Sequence, residues 1–369
     1  METIAKSTNT YVQRRRKELY KDTVIKGRSW KPTTAAELRV FLGILIYIGV
    51  HKSPSIYDYF RNPESVEEMQ PQHSTYKYMT TTRFEQLKRF IHISDPCGDE
   101  LRGPGEKDWW FKLEPLTSTF QEASKRYYKP SSNLALDEIM IRCFARSHHT
   151  VKMPNKPIQQ GYKIFALAER GSEQSQRRKR EKGDLSPTAK MVIEMIQAVY
   201  SIYMDNYFNT VPLYKKLLEV SYGACGTARP TSGVPEILLE LKNNHSKALP
   251  WGSLYAKVED DILCLAWQDN NIVLGLSTLH SPTAFIAQKR KRPAKTSTNE
   301  ALVRRVFGDE VIKELDIPAF INDYNHYMGA VDVSNQLRAN YTVHRKTYRN
   351  WLPLFYFFID AVVVNAFRI

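Results

Sequence analysis

Three aspartates stand where a chain can present chemistry. Asp137 follows LAL, Asp205 follows SIYM, and Asp332 follows a glycine closely in YNHYMGAVDVSNQL. The first two close runs of β-forming residues, so each carboxylate is expected at a strand end, where the backbone is rigid and the side chain escapes the core. The third is expected at the start of a helix. Three carboxylates from separated segments that converge can hold two divalent cations ~4 Å apart, activate a water and stabilise the leaving oxygen of an in-line attack on a phosphodiester. Oxygen donors suit Mg²⁺ or Mn²⁺, and no His/Cys cluster competes for zinc. Residues 200–208, YSIYMDNYF, also admit a plainer reading, because Asp-Asn pairs are ordinary turn residues. On pattern alone both readings stand.

The elements that would position these residues follow from the hydrophobic pattern. At 369 residues, with 42% hydrophobic and 12% aromatic content, the chain is long enough for two or three folded domains. A net charge of +14 points to a polyanionic partner, nucleic acid before a membrane surface. The longest apolar run, residues 40–50, is too short to span a bilayer and reads as a buried helix capped by Thr33 or Thr34. The first 30 residues are polar and basic, without the apolar stretch of a secretory signal, and read as a frayed or helical arm. Residues 81–94 and 109–128 complete a mostly helical N-terminal region. The four cysteines are scattered, fit a reducing compartment and read as buried thiols.

From Asn133 the character changes to strands: residues 133–144, YKIFALAE at 162–169, the Asp205 strand, and YGACGT at 222–227. Helices are expected from Ser186 to Ala198 and from Thr210 to about Val220, each with a proline in its first turn. Residues 254–278 hold three β-rich runs separated by E-D-D and D-N-N, a meander. Residues 310–327 and 332–345 read as helices around Gly329, and the apolar segment 350–369 as a core helix.

LALDEIMIRCFARS with MPNKPIQQGYKIFALAE resembles the first catalytic block of piggyBac-type DDE transposases. YSIYMDNYFNTVPLYKKLLEVSYGACGTARP is similar to the second block, and YNHYMGAVDVSNQLRANYTVHRK with the terminal helix to the third. The resemblance runs from about Thr34 to the C-terminus with all blocks in order. It implies a mixed α+β or α/β fold: a ribonuclease-H-like catalytic core interrupted by a β-rich insertion domain, behind an α-helical N-terminal region. Residues 1–130 would be the helical region for DNA binding or dimerisation and 131–229 the first part of the core. The insertion would occupy 230–310, and 311–369 would return to the core with the third carboxylate. By motif position Asp137, Asp205 and Asp332 become the catalytic and metal-binding triad, holding two Mg²⁺ (or Mn²⁺) ions and no zinc. The implied activity is cut-and-paste DNA cleavage and strand transfer. The implied partner is double-stranded DNA, as transposon ends and TTAA targets, with a homodimer as one possible assembly, a nuclear location and no membrane. The alternative is a catalytically inactive or domesticated DNA-binding remnant.

Three departures from the family pattern favour that alternative. Asn335 stands where relatives often carry a further acid, and an amide brings an oxygen but no charge. Residues 171–184, GSEQSQRRKREKGD, hold no apolar run able to make the core's third strand, so an unpaired edge beside YKIFALAE is expected. The sequence to Ile369 also holds no cysteine-rich zinc module. Lys152, Lys156, Lys163 and Arg229 are candidates for phosphate contacts, against the plainer reading of a generic basic surface. The tracts 177–180 and 289–292 read either as localisation or DNA-backbone signals or as solvated loops. His148-His149 reads as surface, and Trp351, Phe355, Phe357 and Phe358 as core.

Overall fold

The computed structural model describes residues 1–19, 29–62, 72–101, 110–129, 131–169, 172–176, 186, 188, 189, 192, 193, 201–244, 249–295 and 300–368. Its helices are α1 (Glu2–Leu19), α2 (Ala35–Val50), α3 (Thr81–Phe90), α4 (Pro96–Leu101), α5 (Glu114–Tyr127), α6 (Val211–Glu219), α7 (Glu236–Asn244), α8 (Glu300–Phe307), α9 (Ala319–Tyr327), α10 (Ala330–Asn340) and α11 (Leu352–Arg368). Its strands are β1 (Asn133–Arg142), β2 (Val151–Lys152), β3 (Gln160–Glu169), β4 (Ser172–Gln176), β5 (Ser201–Met204), β6 (Gly223–Thr227), β7 (Leu254–Glu259), β8 (Ile262–Gln268), β9 (Ile272–Ser277), β10 (Phe285–Lys291) and β11 (Ile312–Pro318). The chain divides into two compact units, the first made of Met1–Tyr128, Met140–Lys163 and Gln336–Ile369, the second of Lys129–Ile139 and Ile164–Asn335. Among the described residues no helix is long and apolar enough to cross a membrane.

The first unit is mainly helical, with a short antiparallel pairing of β2 to the start of β3. Thr34 caps α2, its side chain accepting from the Glu37 N–H, and the helix buries Leu38, Phe41, Ile44, Leu45 and Ile48. The Glu37 carboxylate takes a two-pronged bond from Arg83 on α3, Nε to Oε1 at 2.7 Å and Nη2 to Oε2 at 2.6 Å, the strong fork geometry of arginine. The N-terminal arm is a packed helix rather than a frayed one. Ala5, Thr8 and Val12 are buried, and Thr8 exchanges hydrogen bonds with the backbone of His92. The aromatic residues Trp351, Phe355, Phe357 and Phe358 of the C-terminal segment are all buried.

That apolar terminal helix carries one acid. Asp360 is buried, its Oδ2 accepting from the Thr342 hydroxyl and its Oδ1 from the Val343 N–H, each at 2.8 Å. Burial pushes its carboxyl up to about 6, against the pull of those two bonds and of Arg338 and Arg345. The folded pKa therefore lies above the unfolded value of about 3.9, so its protonated form adds stability that is present below about pH 4 and lost as pH rises through about 6. Asp360→Asn should match the parent near pH 4 and exceed it by about 1–2 kcal/mol at pH 7.5. Urea unfolding of both proteins across that range checks this, and an advantage that did not grow with pH would contradict it.

The second unit is built on a sheet in the order β4-β3-β1-β5-β6-β9-β8-β7. At its centre β1, β5 and β6 run parallel, with Leu136 aligned to Met204 and Met204 to Gly226. The period of two in SIYM sends Ile202 and Met204 to one face, with Leu213, Tyr214 and Leu217 of α6. Tyr203 goes to the other face, with Trp267 and with Phe320 and Ile321 of α9. The expected meander is present as the antiparallel β7-β8-β9, and β9 pairs with β6 so that it extends the same sheet. Asp260 and Asp261 make the β7–β8 turn with φ of 49° and 60°, the left-handed pair that short hairpins require.

Two expectations are corrected here. The polar stretch after YKIFALAE does form a strand: β4 pairs antiparallel with β3, Phe165 aligned to Gln176 and Glu169 to Ser172. An outer strand needs backbone donors and acceptors from its neighbour rather than apolar side chains, and SEQSQ supplies them without a proline. The edge of β3 beside YKIFALAE is therefore paired over Phe165–Glu169. Residues 312–318 are likewise a strand and not a helix, β11 pairing antiparallel with β10 along its whole length. The basic tract at 289–292 is part of that pairing: Arg290 meets Asp269 at 3.3 Å and Arg292 donates to the Gly308 carbonyl at 2.7 Å. The tract at 177–180 lies outside the described residues, as does most of the helix expected from Ser186, of which 188, 189, 192 and 193 are helical.

Candidate active site

The parallel register brings two of the sequence candidates together. Asp137 and Asp205 each follow immediately on the aligned pair Leu136 and Met204, so they stand side by side on neighbouring strands whose spacing is about 4.8 Å. Thr227 follows Gly226 on β6 in the same row. Asp205 is half-buried, and its Oδ1 accepts from the Tyr207 N–H at 2.9 Å. The Asp-Asn turn is real, and it fixes the carboxylate at the strand end instead of merely closing a loop. Asp137 is also half-buried, its Oδ1 accepting from the Glu138 N–H at 2.7 Å. It does not end its strand as expected: β1 continues to Arg142, and only its pairing with β5 stops at Leu136.

The supporting shell is polar and largely buried. Asn209 is 1% exposed, and its amide donates to the Met204 carbonyl at 2.9 Å and the Thr227 carbonyl at 2.7 Å. It thereby ties the ends of β5 and β6 directly beneath Asp205. Gly226 makes this possible, since a Cβ there would meet the Asn209 amide at 2.0 Å and the Met204 carbonyl at 2.1 Å. Tyr324 on α9 reaches the row from the other side, its hydroxyl 3.4 Å from Thr227 Oγ1. Burial holds the Tyr324 phenol above its ordinary pKa, and the Asp205 and Asp137 carboxylates push the same way. Next to it, Asp323 bonds His280 Nε2 at 3.1 Å while Ser277 Oγ meets His280 Nδ1 at 2.7 Å. This Ser-His-Asp chain is structural: Ser277 is wholly buried and also accepts from the Leu279 N–H, so no substrate reaches its oxygen.

Arg229, just past β6, donates from Nε to Asn206 Oδ1 at 3.0 Å and lies over the Tyr207 ring at 5.5 Å. Arg229 therefore places a cation beside the turn that carries Asp205. Asp332 lies in the first turn of α10 and is exposed, with Asn335 half-buried one turn on. Among the described residues, no three His, Cys, Asp or Glu side chains stand close enough together to hold a metal ion. Lys152 and Lys156 are exposed and Lys163 half-buried, all three in the first unit, and His148 and His149 are exposed. Cys143, Cys225 and Cys264 are buried free thiols and Cys97 is half-buried. Asn209, Thr227 and Tyr324 were not singled out by the sequence. Asn209 and Thr227 sit within the second quoted block and Tyr324 opens the third, but nothing in their spacing marks them as partners of the carboxylates.

Comparison with known proteins defines the class. The chain belongs to the transposase family described as Transposase IS4, whose model matches residues 1–367. Within it the chain is of the piggyBac type. It is 24% identical over 354 residues to the human PiggyBac transposable element-derived protein 3, covering 91% of this chain and 55% of that one. With the human PiggyBac transposable element-derived protein 2 it shares 24% identity over 357 residues, again 91% and 55% of the two chains. The chain thus spans about half the length of these curated relatives. It also matches the cryo-EM structure of a piggyBac transposase synaptic complex with hairpin DNA, with a TM-score of 0.73, 22% identity, and coverage of 99% of this chain and 70% of that one. At that identity the likeness shows the fold, a mixed α+β architecture of the piggyBac transposase.

Proposed function

We propose that this is a transposase-derived DNA-binding protein whose Asp137–Asp205 pair, completed by Asp332, serves metal-dependent cleavage and strand transfer of DNA. The observation that carries the reading is the aligned placement of the two carboxylates on adjacent parallel strands, Asp205 just past the end of β5 and Asp137 beside it within β1. The β1-β5-β6 parallel centre, flanked by β3 and β4 on one side, supports a ribonuclease-H-like core. The piggyBac structure named above was solved with hairpin DNA, and the charge of +14 suits such a partner.

Two adjacent carboxylates fit a hard divalent cation, Mg²⁺ or Mn²⁺, as part of its oxygen shell. Such an ion supplies an activated water and charge stabilisation for in-line phosphodiester cleavage. The residues around it have their own tasks. The Tyr207 N–H orients Asp205, Asn209 locks the two strand ends, and Arg229 is placed to meet a phosphate beside Asp205. Asp332, exposed on α10, is the carboxylate that must join the pair when metal and DNA bind. TTAA recognition, dimerisation and action in the nucleus belong to the same reading.

A second reading, a domesticated DNA-binding protein without catalysis, is favoured by Asn335, an uncharged amide one turn on from Asp332. Both readings require phosphate-driven binding. Affinity for duplex DNA should fall steeply with salt, with log affinity losing about 0.9 per neutralised phosphate and per decade of salt. Charge-removing changes at Lys152, Lys156, Lys163 and Arg229 should each flatten that slope. Anisotropy titrations at several salt concentrations decide it, and a salt-independent affinity would sink both readings.

A further inference from the structure

A cavity of about 410 Å³ opens within the first unit, lined by side chains from all three of its chain segments. It belongs to neither the carboxylate row nor its supporting shell. Its chemistry is cationic and aromatic at once. Arg349 lines it, with the guanidinium donating to the Arg89 carbonyl at 2.7 Å and the Ile91 carbonyl at 2.8 Å. The same guanidinium lies over the rings of Tyr11 at 5.5 Å and Trp351 at 4.8 Å. Among the described residues no carboxylate stands within ion-pair distance of it. Burial is the main influence on this group and acts against its charged form, as does nearby Arg15. A half-buried guanidinium held only by neutral carbonyls and rings is costly, and an anionic ligand is what balances it. Lys112 lines the same cavity and adds positive charge.

The walls offer flat surfaces for a planar group. Tyr11 stacks on His92 with ring centroids 4.5 Å apart and planes 9° from parallel. Burial, with Arg349 and Lys112 nearby, brings the His92 imidazole down to about 3, so this wall stays neutral at physiological pH. Tyr348 stands at the rim, 73% exposed. An exposed aromatic ring beside an enclosed cation is how proteins take unpaired bases, by stacking the ring and pairing the phosphate. The volume is at the lower end for small-ligand sites, suited to one nucleotide and far too small for a duplex.

We propose that this cavity binds a single unpaired nucleotide, its base against the aromatic wall and its phosphate at Arg349 and Lys112. The nucleotide comes either from a DNA strand, which rests on the reading above, or from solution as a free mononucleotide. The test uses the full chain and three probes: dAMP, a short single strand with 2-aminopurine at one position, and a blunt duplex. The expected result is binding of the single strand with quenched 2-aminopurine fluorescence. Tyr348→Ala should weaken that binding about tenfold, within the range for losing one base–aromatic stack, and Lys112→Gln should also weaken it. Tyr348 is exposed enough that its truncation is not a folding defect, and Arg349→Lys keeps the charge while removing the fork. Binding of dAMP that falls in the same variants assigns the site to free nucleotide; strand binding alone assigns it to DNA. Absence of both, or affinities equal in all variants, overturns the proposal. The duplex probe reports on the DNA reading separately: if it fails while dAMP binds, the cavity stands and the DNA reading does not.

Discussion

Asn209→Ala should destabilise the protein by about 3 kcal/mol, a large loss for a residue that touches no substrate. Its amide makes two buried bonds, to the Met204 and Thr227 carbonyls, and its Oδ1 lies 3.1 Å from the Tyr214 hydroxyl. Truncation to alanine removes all three and leaves two strand-end carbonyls facing a hole that solvent does not fill. Each lost bond costs about 1 kcal/mol, and an abandoned buried acceptor costs about 1–3 kcal/mol, partly offset by relaxation. The β5–β6 end then loosens beneath Asp205, so any metal-dependent activity should fall further than stability alone implies. Urea unfolding gives the first number, with the slope showing whether the native state stays compact. A loss below about 1 kcal/mol would mean that the strand ends are held by the ladder alone.

The second large effect is a reversal of sign with metal. Asp137 and Asp205 are like charges on neighbouring strands, so Asp205→Asn should raise the melting temperature in chelator by relieving repulsion. With Mn²⁺ the order should invert. An ion present at a hundredfold excess over its dissociation constant stabilises the parent by about 2.7 kcal/mol, whereas the variant lacks one anionic donor and should gain far less. Thermal melts of both proteins, with and without Mn²⁺, provide the four values. If metal shifts both melts equally, Asp205 is not a ligand.

How much of this was legible in the sequence differs residue by residue. The strands that carry Asp137 and precede Asp205 were readable, because LAL and SIYM are short apolar runs of the kind that make strands buried on both faces; that β1 runs on past Asp137 to Arg142 was not. That the two strands are adjacent, parallel and in register was not, since pairing between residues about seventy apart leaves no local trace. β4 was misread because an outer strand is held by backbone bonds, and SEQSQ looks like a linker to any reading based on hydrophobicity. β11 was misread as helix because VIKELDI has few breakers, and its strand form is imposed by pairing with β10. Asn209 carries no local mark of its role in the sequence. Its burial between two strand ends depends on β6 arriving alongside, and only the fold supplies that. Asp332 was readable as a motif position, while its exposure on α10 was not.

The central claim is that the aligned carboxylates serve metal-dependent cutting of DNA. Incubation of the purified chain with supercoiled plasmid and Mn²⁺ tests it most directly, alongside Asp137→Asn, Asp205→Asn and Asp332→Asn and with chelator as the blank. The account predicts nicked and linear product from the parent only with metal, and loss of that product in each of the three variants while duplex binding persists. Binding by all four proteins with no metal-dependent product from the parent would contradict it and leave the non-catalytic DNA-binding reading in its place.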